Sequence, residues 1–252
     1  SVDPLPQILE LRDKYGFRVH ADAAYGGYFV LADGLPDHTT YALRQLGAAD
    51  SIAIDPHKHG LQPYGCGCIL FKDPSVGSLY KHDSPYTYFT SSELHLGEIS
   101  LECSRAGASA VALWATQQLL PLVKDGEFAQ SLSKCRRAAQ MLYQRLASDH
   151  RFLPLFEPEL DIVAWAPRAP TTRKVSALSR ALFQAAARHD LHLALFSYPT
   201  RLLRESWQGV DLDEDNVTCL RSCLMKPEHL AWMDRIWQLL DQAMDEVSSR
   251  ET

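Results

Sequence analysis

Two spacings of apolar residues alternate along the first half of the chain. Residues 4–15 carry leucine and isoleucine at near-helical spacing, with Pro4 near the start and Gly16 after the end, which predicts a helix. A second helix, on the surface, is predicted over residues 35–47. Three short apolar runs bounded by turn residues predict strands, at 17–24, 51–54 and 65–71. Helices that alternate with short buried strands indicate an α/β fold with a partly parallel sheet.

The second half of the chain has a different pattern. A helix of small and apolar residues is predicted after Gly107 and through Leu120, and a helix that is basic in its middle follows at 127–147. Residues 80–97 lack clear periodicity, which predicts a loop. Beyond residue 152 the predicted order is strand 161–166, helix 174–188, strand 192–196, strand 217–225 and helix 227–247. We therefore predict two domains, residues 1–125 and residues 126–252, the second containing a small α+β lobe.

Composition and charge exclude several classes of protein. The 252 residues are 46% hydrophobic and 22% charged, which is ordinary for a globular protein. Lys plus Arg number 25 against 31 Asp plus Glu, a net charge of −6 that argues against a nucleic-acid or anionic-membrane partner. No uninterrupted apolar run is long enough for a transmembrane helix. The six cysteines are too few and scattered for a disulfide scaffold, which favours a reducing, cytoplasmic location.

An aspartate lies at the end of the first predicted strand, in the segment His20-Ala21-Asp22-Ala23-Ala24-Tyr25-Gly26-Gly27. In α/β sheets ligands bind outside the carboxyl ends of the strands. Strand alternation places His20, Asp22 and Ala24 on one face. A carboxylate beside a small alanine and two glycines suits a flat ligand that brings a cation for Asp22. The alternative is an aspartate that caps a turn before Gly26.

Lys58 follows the second predicted strand, in Asp55-Pro56-His57-Lys58-His59-Gly60. Desolvation and neighbouring positive charge can make such an amine reactive, and a lysine amine forms a Schiff base with a carbonyl. The alternative is a solvated surface lysine. His57 and His59 form an H-x-H pair that could ligate a metal, but no cluster of carboxylates or cysteines accompanies it, so no metal site is predicted.

Asp22 and Lys58 together are what a pyridoxal phosphate site needs, because the lysine holds the aldehyde and the carboxylate keeps the pyridine nitrogen protonated. The two segments resemble those of the group II pyridoxal-phosphate-dependent amino acid decarboxylases of fold type I. The segment Glu102-Cys103-Ser104-Arg105-Ala106-Gly107-Ala108 is similar to that family's third landmark, at the start of a long helix. The resemblance spans residues 1–120 and is weaker beyond.

The resemblance implies pyridoxal 5'-phosphate as cofactor and decarboxylation of an L-amino acid as the reaction. Lys58 would form the Schiff base, Asp22 would pair with the pyridinium nitrogen, Ala24 would pack against the ring and His57 would lie beside the lysine at the cofactor. Residues 1–125 would form the C-terminal half of the cofactor-binding large domain. Residues 126–252 would form a connecting helix and the small C-terminal domain.

Two further functions are assigned to residues outside these segments. In the aromatic branch of the family a mobile-loop tyrosine protonates the carbon that has lost its carboxylate, and Tyr86, Tyr88 or His95 are the candidates here. Arg221 lies on an apolar predicted strand, where a guanidinium needs a carboxylate. That carboxylate is either the substrate's α-carboxylate or a side chain of the protein.

The upstream half that supplies a phosphate cradle in the family has no counterpart before Asp22, and the sequence contains no G-x-G-x-x-G segment. We therefore expect the chain to be a partial sequence, a cleaved product or one piece of a split protein. We expect it to be a poor enzyme when isolated and a homodimer when complete. Carbon–carbon lyase or aminotransferase chemistry on the same cofactor is one alternative. A non-catalytic fragment or subunit is the other.

Overall fold

The computed structural model of the protein describes residues 2–81 and 107–249. The chain forms two units. Val2–Ala32 and Pro36–Phe128 make up the first, and Asp33–Leu35 and Ala129–Thr252 make up the second. Within the described ranges, no helix combines the length and the apolar composition that crossing a membrane would need.

The first unit begins with helix α1 (Leu5–Tyr15), as the sequence predicts. It ends at Gly16, whose φ of 71° is left-handed and whose amide donates to the Arg12 carbonyl at 2.7 Å. Glycine adopts this conformation without a Cβ penalty, so the helix ends where the glycine stands. The buried side chains of α1 share a small core with the chain around the first strand and the second helix: Leu5, Leu9, Val19, Ala42 and Ala49.

A three-stranded sheet occupies the middle of this unit, in the order β1 (His20–Asp22), β2 (Ser51–Ile54) and β3 (Cys68–Phe71). Strands β1 and β2 are parallel, and β3 runs antiparallel to β2. Helix α2 (Asp37–Arg44) lies in the connection between β1 and β2. Parallel neighbours need such a crossover connection, which the predicted alternation of helix and strand provides. The sheet is therefore partly parallel, as predicted, although β1 is shorter than the predicted 17–24.

Two helices follow the three-stranded sheet along the chain. Helix α3 (Ala108–Leu119) is rich in apolar residues, yet within the described part of the chain none of its side chains is buried. Helix α4 (Glu127–Ser148) belongs to the second unit from Ala129 onwards. Both helices agree with the sequence prediction to within two residues.

The second unit is an antiparallel sheet covered by helices. Its strand order is β4-β5-β7-β6, with bounds Phe152–Pro154, Ile162–Pro167, Asn216–Cys223 and Ala194–Pro199. Helices α5 (Thr172–Arg188) and α6 (Met233–Ser249) contribute to the core with α4. The largest fully buried side chain of this core is Trp165, whose indole nitrogen donates to the Ser222 hydroxyl at 3.0 Å.

Two elements of this unit differ from the prediction. Strand β4 was not predicted, because three residues that end in Pro154 carry no alternation; it forms by pairing with β5. The last helix was predicted from residue 227, but Pro227–Leu230 forms a short 3-10 helix and α6 begins at Met233. Local propensity alone does not distinguish a 3-10 turn from the first turn of an α-helix.

Candidate active site

The site lies at the carboxyl ends of the parallel strands β1 and β2. Their register places Asp22 opposite Ala53, so both strands end at the same edge of the sheet. Beyond the strands, the Asp55 amide donates to the Ala24 carbonyl at 3.1 Å. This bond joins the segment after β1 to the segment after β2. The fold therefore brings the two motifs of the sequence to one edge of the sheet, where α/β folds bind ligands.

Asp22 is exposed at this edge. Its Oδ1 accepts a hydrogen bond of 3.2 Å from the Ala24 amide, and among residues 2–81 and 107–249 no other group donates to this carboxylate. The bond is the local turn that the sequence offered as the alternative for Asp22. It uses one lone pair only, so the carboxylate keeps acceptor sites for a ligand. Ala24, half-buried, directly follows in the turn.

Lys58 is held by an acidic neighbour three residues earlier. Its Nζ lies 2.9 Å from Asp55 Oδ2, its side chain is 34% exposed, and its amide donates to the Asp55 carbonyl at 2.9 Å. The turn therefore places the Lys58 amine and the Asp55 carboxylate on the same side of the backbone. Sequence reasoning did not assign a function to Asp55, although its position three residues before Lys58 in a Pro-containing turn was a usable signal. Lys58 is therefore an anchored amine, not a freely solvated one.

The two histidines beside Lys58 have different surroundings. His57 Nδ1 lies 2.9 Å from the Cys66 carbonyl, so this nitrogen carries the hydrogen, and its Nε2 lies 3.7 Å from Asp55 Oδ2. His59 is buried, and its Nδ1 lies 3.0 Å from the Tyr25 carbonyl. His57 is thus part of the polar site, whereas His59 is a packing residue. In the described ranges no three His, Cys, Asp or Glu side chains form a group that could hold a metal ion.

A tyrosine that the sequence analysis did not single out covers one side of His57. The Tyr64 ring stacks on the imidazole at a centroid distance of 5.1 Å and an interplanar angle of 26°, while 93% of the tyrosine is exposed. An exposed aromatic ring stacked on a site residue adds contact area for a flat ligand. No periodicity or motif marks Tyr64, so the sequence offered no signal for it.

Gly60 closes the Lys58 turn and is close-packed. A Cβ at this position would lie 2.6 Å from the Pro56 Cα and 2.6 Å from the Tyr28 hydroxyl. Tyr28 is itself buried, and burial raises the pKa of its hydroxyl to about 12, so it remains neutral at the wall of the turn. The backbone of the Lys58 turn therefore tolerates only glycine at residue 60.

We expect Gly60→Ala to lower the free energy of unfolding by about 1–3 kcal/mol, because the added methyl group must displace backbone or the buried tyrosine. Gly47→Ala is the matched control, since a Cβ there meets no atom within 4 Å and Gly47 lies in the same unit. Urea unfolding followed by circular dichroism measures both variants. Equal unfolding midpoints for the two variants would contradict the close packing around Gly60.

The remaining predicted site residues lie elsewhere. Tyr86, Tyr88 and His95, as well as most of the Glu102–Ala108 segment, fall outside the described residues. Arg221 lies on the central strand β7 of the second unit, opposite Ala164 and Ala194. It is exposed, and in the described part of the chain no carboxylate lies within ion-pair distance of it. The substrate α-carboxylate and a carboxylate of the protein therefore both stay predictions for the partner of Arg221.

An exposed carboxylate and a lysine paired with Asp55 thus lie at the carboxyl ends of the parallel strands of an α/β sheet. Residues 1–167 match the family described as the pyridoxal-dependent decarboxylase conserved domain. The chain therefore belongs to the pyridoxal-dependent decarboxylase family, as its motifs predicted. Pyridoxal phosphate, the expected cofactor, is the cofactor of this family.

Relatives of known function are decarboxylases of amino acids. The L-tyrosine decarboxylase of Enterococcus faecium is 29% identical over 221 residues, which cover 71% of this chain and 36% of that protein. The aspartate 1-decarboxylase of Aliivibrio fischeri is 28% identical over 165 residues, which cover 66% of this chain and 28% of that protein. The chain thus spans about a third of the length of these relatives.

Solved structures of the family share the fold. Oryza sativa TDC with PLP and tryptamine matches 98% of this chain and 48% of its own with a TM-score of 0.74 and 17% identity. Mouse CSAD in apo form matches 96% of this chain and 49% of its own with a TM-score of 0.71 and 17% identity. The expected architecture, the C-terminal part of a fold type I α/β enzyme, is confirmed by these matches.

Proposed function

We propose that this chain carries the lysine and the acid of a pyridoxal-phosphate-dependent decarboxylase of an L-amino acid. The observation that supports the proposal is the placement of Asp22 and Lys58 at one edge of the β1–β2 pair, joined by the bond from the Asp55 amide to the Ala24 carbonyl. These groups fit the cofactor, since Lys58 offers a primary amine, Asp22 an exposed carboxylate and Ala24 a small side chain.

Each residue has a distinct function in this proposal. Lys58 Nζ is the amine that would hold the cofactor through its aldehyde, and Asp55 Oδ2 lies 2.9 Å from this amine and accepts a hydrogen bond from it. Asp22 holds a proton on the pyridine nitrogen through its carboxylate, and the bond from the Ala24 amide orients that carboxylate. When bound, pyridoxal phosphate supplies an electron sink for the carbon that loses its carboxylate.

Further residues have proposed functions beside those of the lysine and the acid. Ala24 leaves room for the flat ring because its side chain is a single methyl group. His57 lies beside the lysine, with its orientation set by the Cys66 carbonyl and the Tyr64 ring. Arg221, on strand β7 of the second unit, is the residue proposed to bind the substrate α-carboxylate, because a guanidinium offers a carboxylate two parallel N–H donors. Tyr86 and Tyr88 remain the candidates for the proton donor to the substrate carbon.

The assembly and location are also proposals. A homodimer follows from the family resemblance, and a cytoplasmic location is supported by the free thiols of the described cysteines: Cys66, Cys68, Cys135, Cys219 and Cys223. Burial raises the pKa of the Cys219 thiol to about 12, so this thiol stays protonated and unreactive at neutral pH.

The test is a titration with pyridoxal phosphate, followed by borohydride reduction and peptide mass analysis. We expect one saturable visible absorption band and a reduced label on the peptide that contains Lys58. The loaded protein is then incubated with L-tyrosine or L-aspartate. Carbon dioxide and an amine are the expected products, whereas a keto acid or an aldehyde would show aminotransferase or carbon–carbon lyase chemistry instead. A label spread evenly over several lysines would overturn the assignment of Lys58.

A further inference from the structure

A basic cavity in the second unit is separate in its residues from the Asp22–Lys58 site. It has a volume of about 570 Å³ and lies beside helix α4, next to the short segment Asp33–Leu35. Three of the residues that line it are cations and one is an acid: Lys134, Arg136, Arg137 and Asp33. The three positive and one negative charges give the lining a formal charge of +2, in a chain whose net charge is −6.

Arg136 is the central residue of this cavity. It is only 6% exposed, and its Nε donates to the Glu159 carbonyl at 3.0 Å. In the described part of the chain this is the only hydrogen bond of its side chain, and no carboxylate lies within ion-pair distance of its guanidinium. Burial lowers the pKa of Arg136, with the charge of Glu157 opposing the effect. Burying a cation without a counterion costs free energy. The other N–H groups of this guanidinium bond to no acceptor in the described part of the chain, and an anion would accept hydrogen bonds from them.

The turn at Asp33 and Gly34 is tied to helix α4 through the Ser133 hydroxyl. The Asp33 amide donates to the Ser133 hydroxyl at 2.9 Å, and this hydroxyl donates to the Ala129 carbonyl at 3.0 Å. Gly34 adopts a left-handed φ of 69°, and a Cβ there would lie 3.6 Å from Arg136 Nη1. The turn therefore passes close to the guanidinium and limits its movement. A preorganised guanidinium loses little conformational freedom when it binds a ligand.

We propose that this cavity binds the phosphate group of a small molecule, with Arg136 as the anchoring residue. The fork of guanidinium N–H donors matches two oxygens of a tetrahedral phosphate. Lys134 and Arg137, both exposed at the rim, complement the second negative charge. A phosphate dianion neutralises the charge of +2 that the lining carries. The ligand is either free inorganic phosphate or a phosphomonoester, which share this chemistry.

The test is isothermal titration calorimetry of this chain at constant ionic strength, with inorganic phosphate and glycerol phosphate as probes and chloride as the reference anion. We expect one phosphate site per chain and at least tenfold weaker binding in Arg136→Gln, which corresponds to about 1.4 kcal/mol. Arg235→Gln on α6 is the matched control, because Arg235 is exposed, outside the cavity and bonded to Gln238. Its affinity should equal that of the unaltered protein.

A second variant separates ligand binding from folding. Arg137→Gln alters an exposed rim residue, so it should fold normally and weaken phosphate binding about two- to fivefold, as expected for a partly screened charge. Tighter binding of glycerol phosphate than of inorganic phosphate would identify a phosphomonoester site, and the reverse a site for the free ion. Unchanged affinity in both cavity variants, or no saturable heat with either probe, would overturn the proposal.

Discussion

Replacing Lys58 by alanine is expected to abolish both the visible absorption band of bound pyridoxal phosphate and the borohydride label on the peptide that contains residue 58. Lys58 Nζ is the amine atom of the proposed site, and alanine has no nucleophile to take its place. We expect the remaining non-covalent affinity for pyridoxal phosphate to be at least about tenfold lower, equivalent to about 1.4 kcal/mol. Titration of the two proteins side by side measures this difference.

Lys72→Ala is the matched control for this substitution. Lys72 follows β3, and because β3 is antiparallel to β2 it lies at the opposite edge of the same sheet, where its amide bonds to the Asp50 carbonyl at 3.0 Å. The visible absorption band and the borohydride label should therefore be unchanged in Lys72→Ala. The Lys58–Asp55 pair is partly exposed, so its loss should change the free energy of unfolding by less than about 1 kcal/mol. Retention of a normal band in Lys58→Ala would refute the assignment.

Replacing Asp22 by asparagine is expected to retain the label on Lys58. Whatever decarboxylation the unaltered chain shows should fall by about 10²–10³-fold, the loss typical of removing one group that stabilises a developing charge. Asparagine keeps an Oδ1 that accepts the bond of 3.2 Å from the Ala24 amide, so the turn persists. It lacks the negative charge that holds a proton on the pyridine nitrogen. The absorption of the bound cofactor should therefore become sensitive to pH in a lower range than in the unaltered protein.

Asp22→Ala and Asp13→Asn distinguish the cofactor role of Asp22 from its turn-capping role. The alanine variant loses both the charge and the bond to Ala24, whereas Asp13→Asn removes an exposed carboxylate that pairs with Arg12 on α1. If Asp22 acted only as a turn cap, the asparagine variant would behave like Asp13→Asn, with normal activity and a normal pH profile. That result would contradict the proposed pairing with the pyridine nitrogen.

Helix ends were predicted best where a single residue type marks them. Helix α1 ends at Gly16 because only a residue without a Cβ adopts its left-handed backbone at no cost, and this signal is visible in one position of the sequence. Strands were harder to delimit, because a strand extends only as far as its partner. Strand β1 therefore covers His20–Asp22 of a longer apolar run, and β4 forms only because β5 lies beside it.

The candidate site also contains some residues that the sequence identified and others that it did not. Asp22 and Lys58 were found from short motifs, since Asp22 ends strand β1 and Lys58 lies shortly after the end of strand β2, each in a segment with a recognisable family pattern. Asp55 and Tyr64 were not assigned, because their significance depends on which side of the Lys58 turn each side chain occupies. The cavity around Arg136 involves residues 100 positions apart, Asp33 and Ser133, and no local pattern predicts such a contact.

The sequence by itself determined the α/β class, the family and the amine and acid of the proposed cofactor site, because these depend on local periodicity and on short runs of neighbouring residues. The tertiary structure alone decided that both motifs meet at one sheet edge through the Asp55–Ala24 bond and that Asp55 holds Lys58. It also decided that Arg136 is buried with no carboxylate partner among the residues that the structure describes. The physical reason is that ion pairing and burial depend on distances between atoms. Chain folding brings together residues whose separation along the sequence gives no measure of those distances.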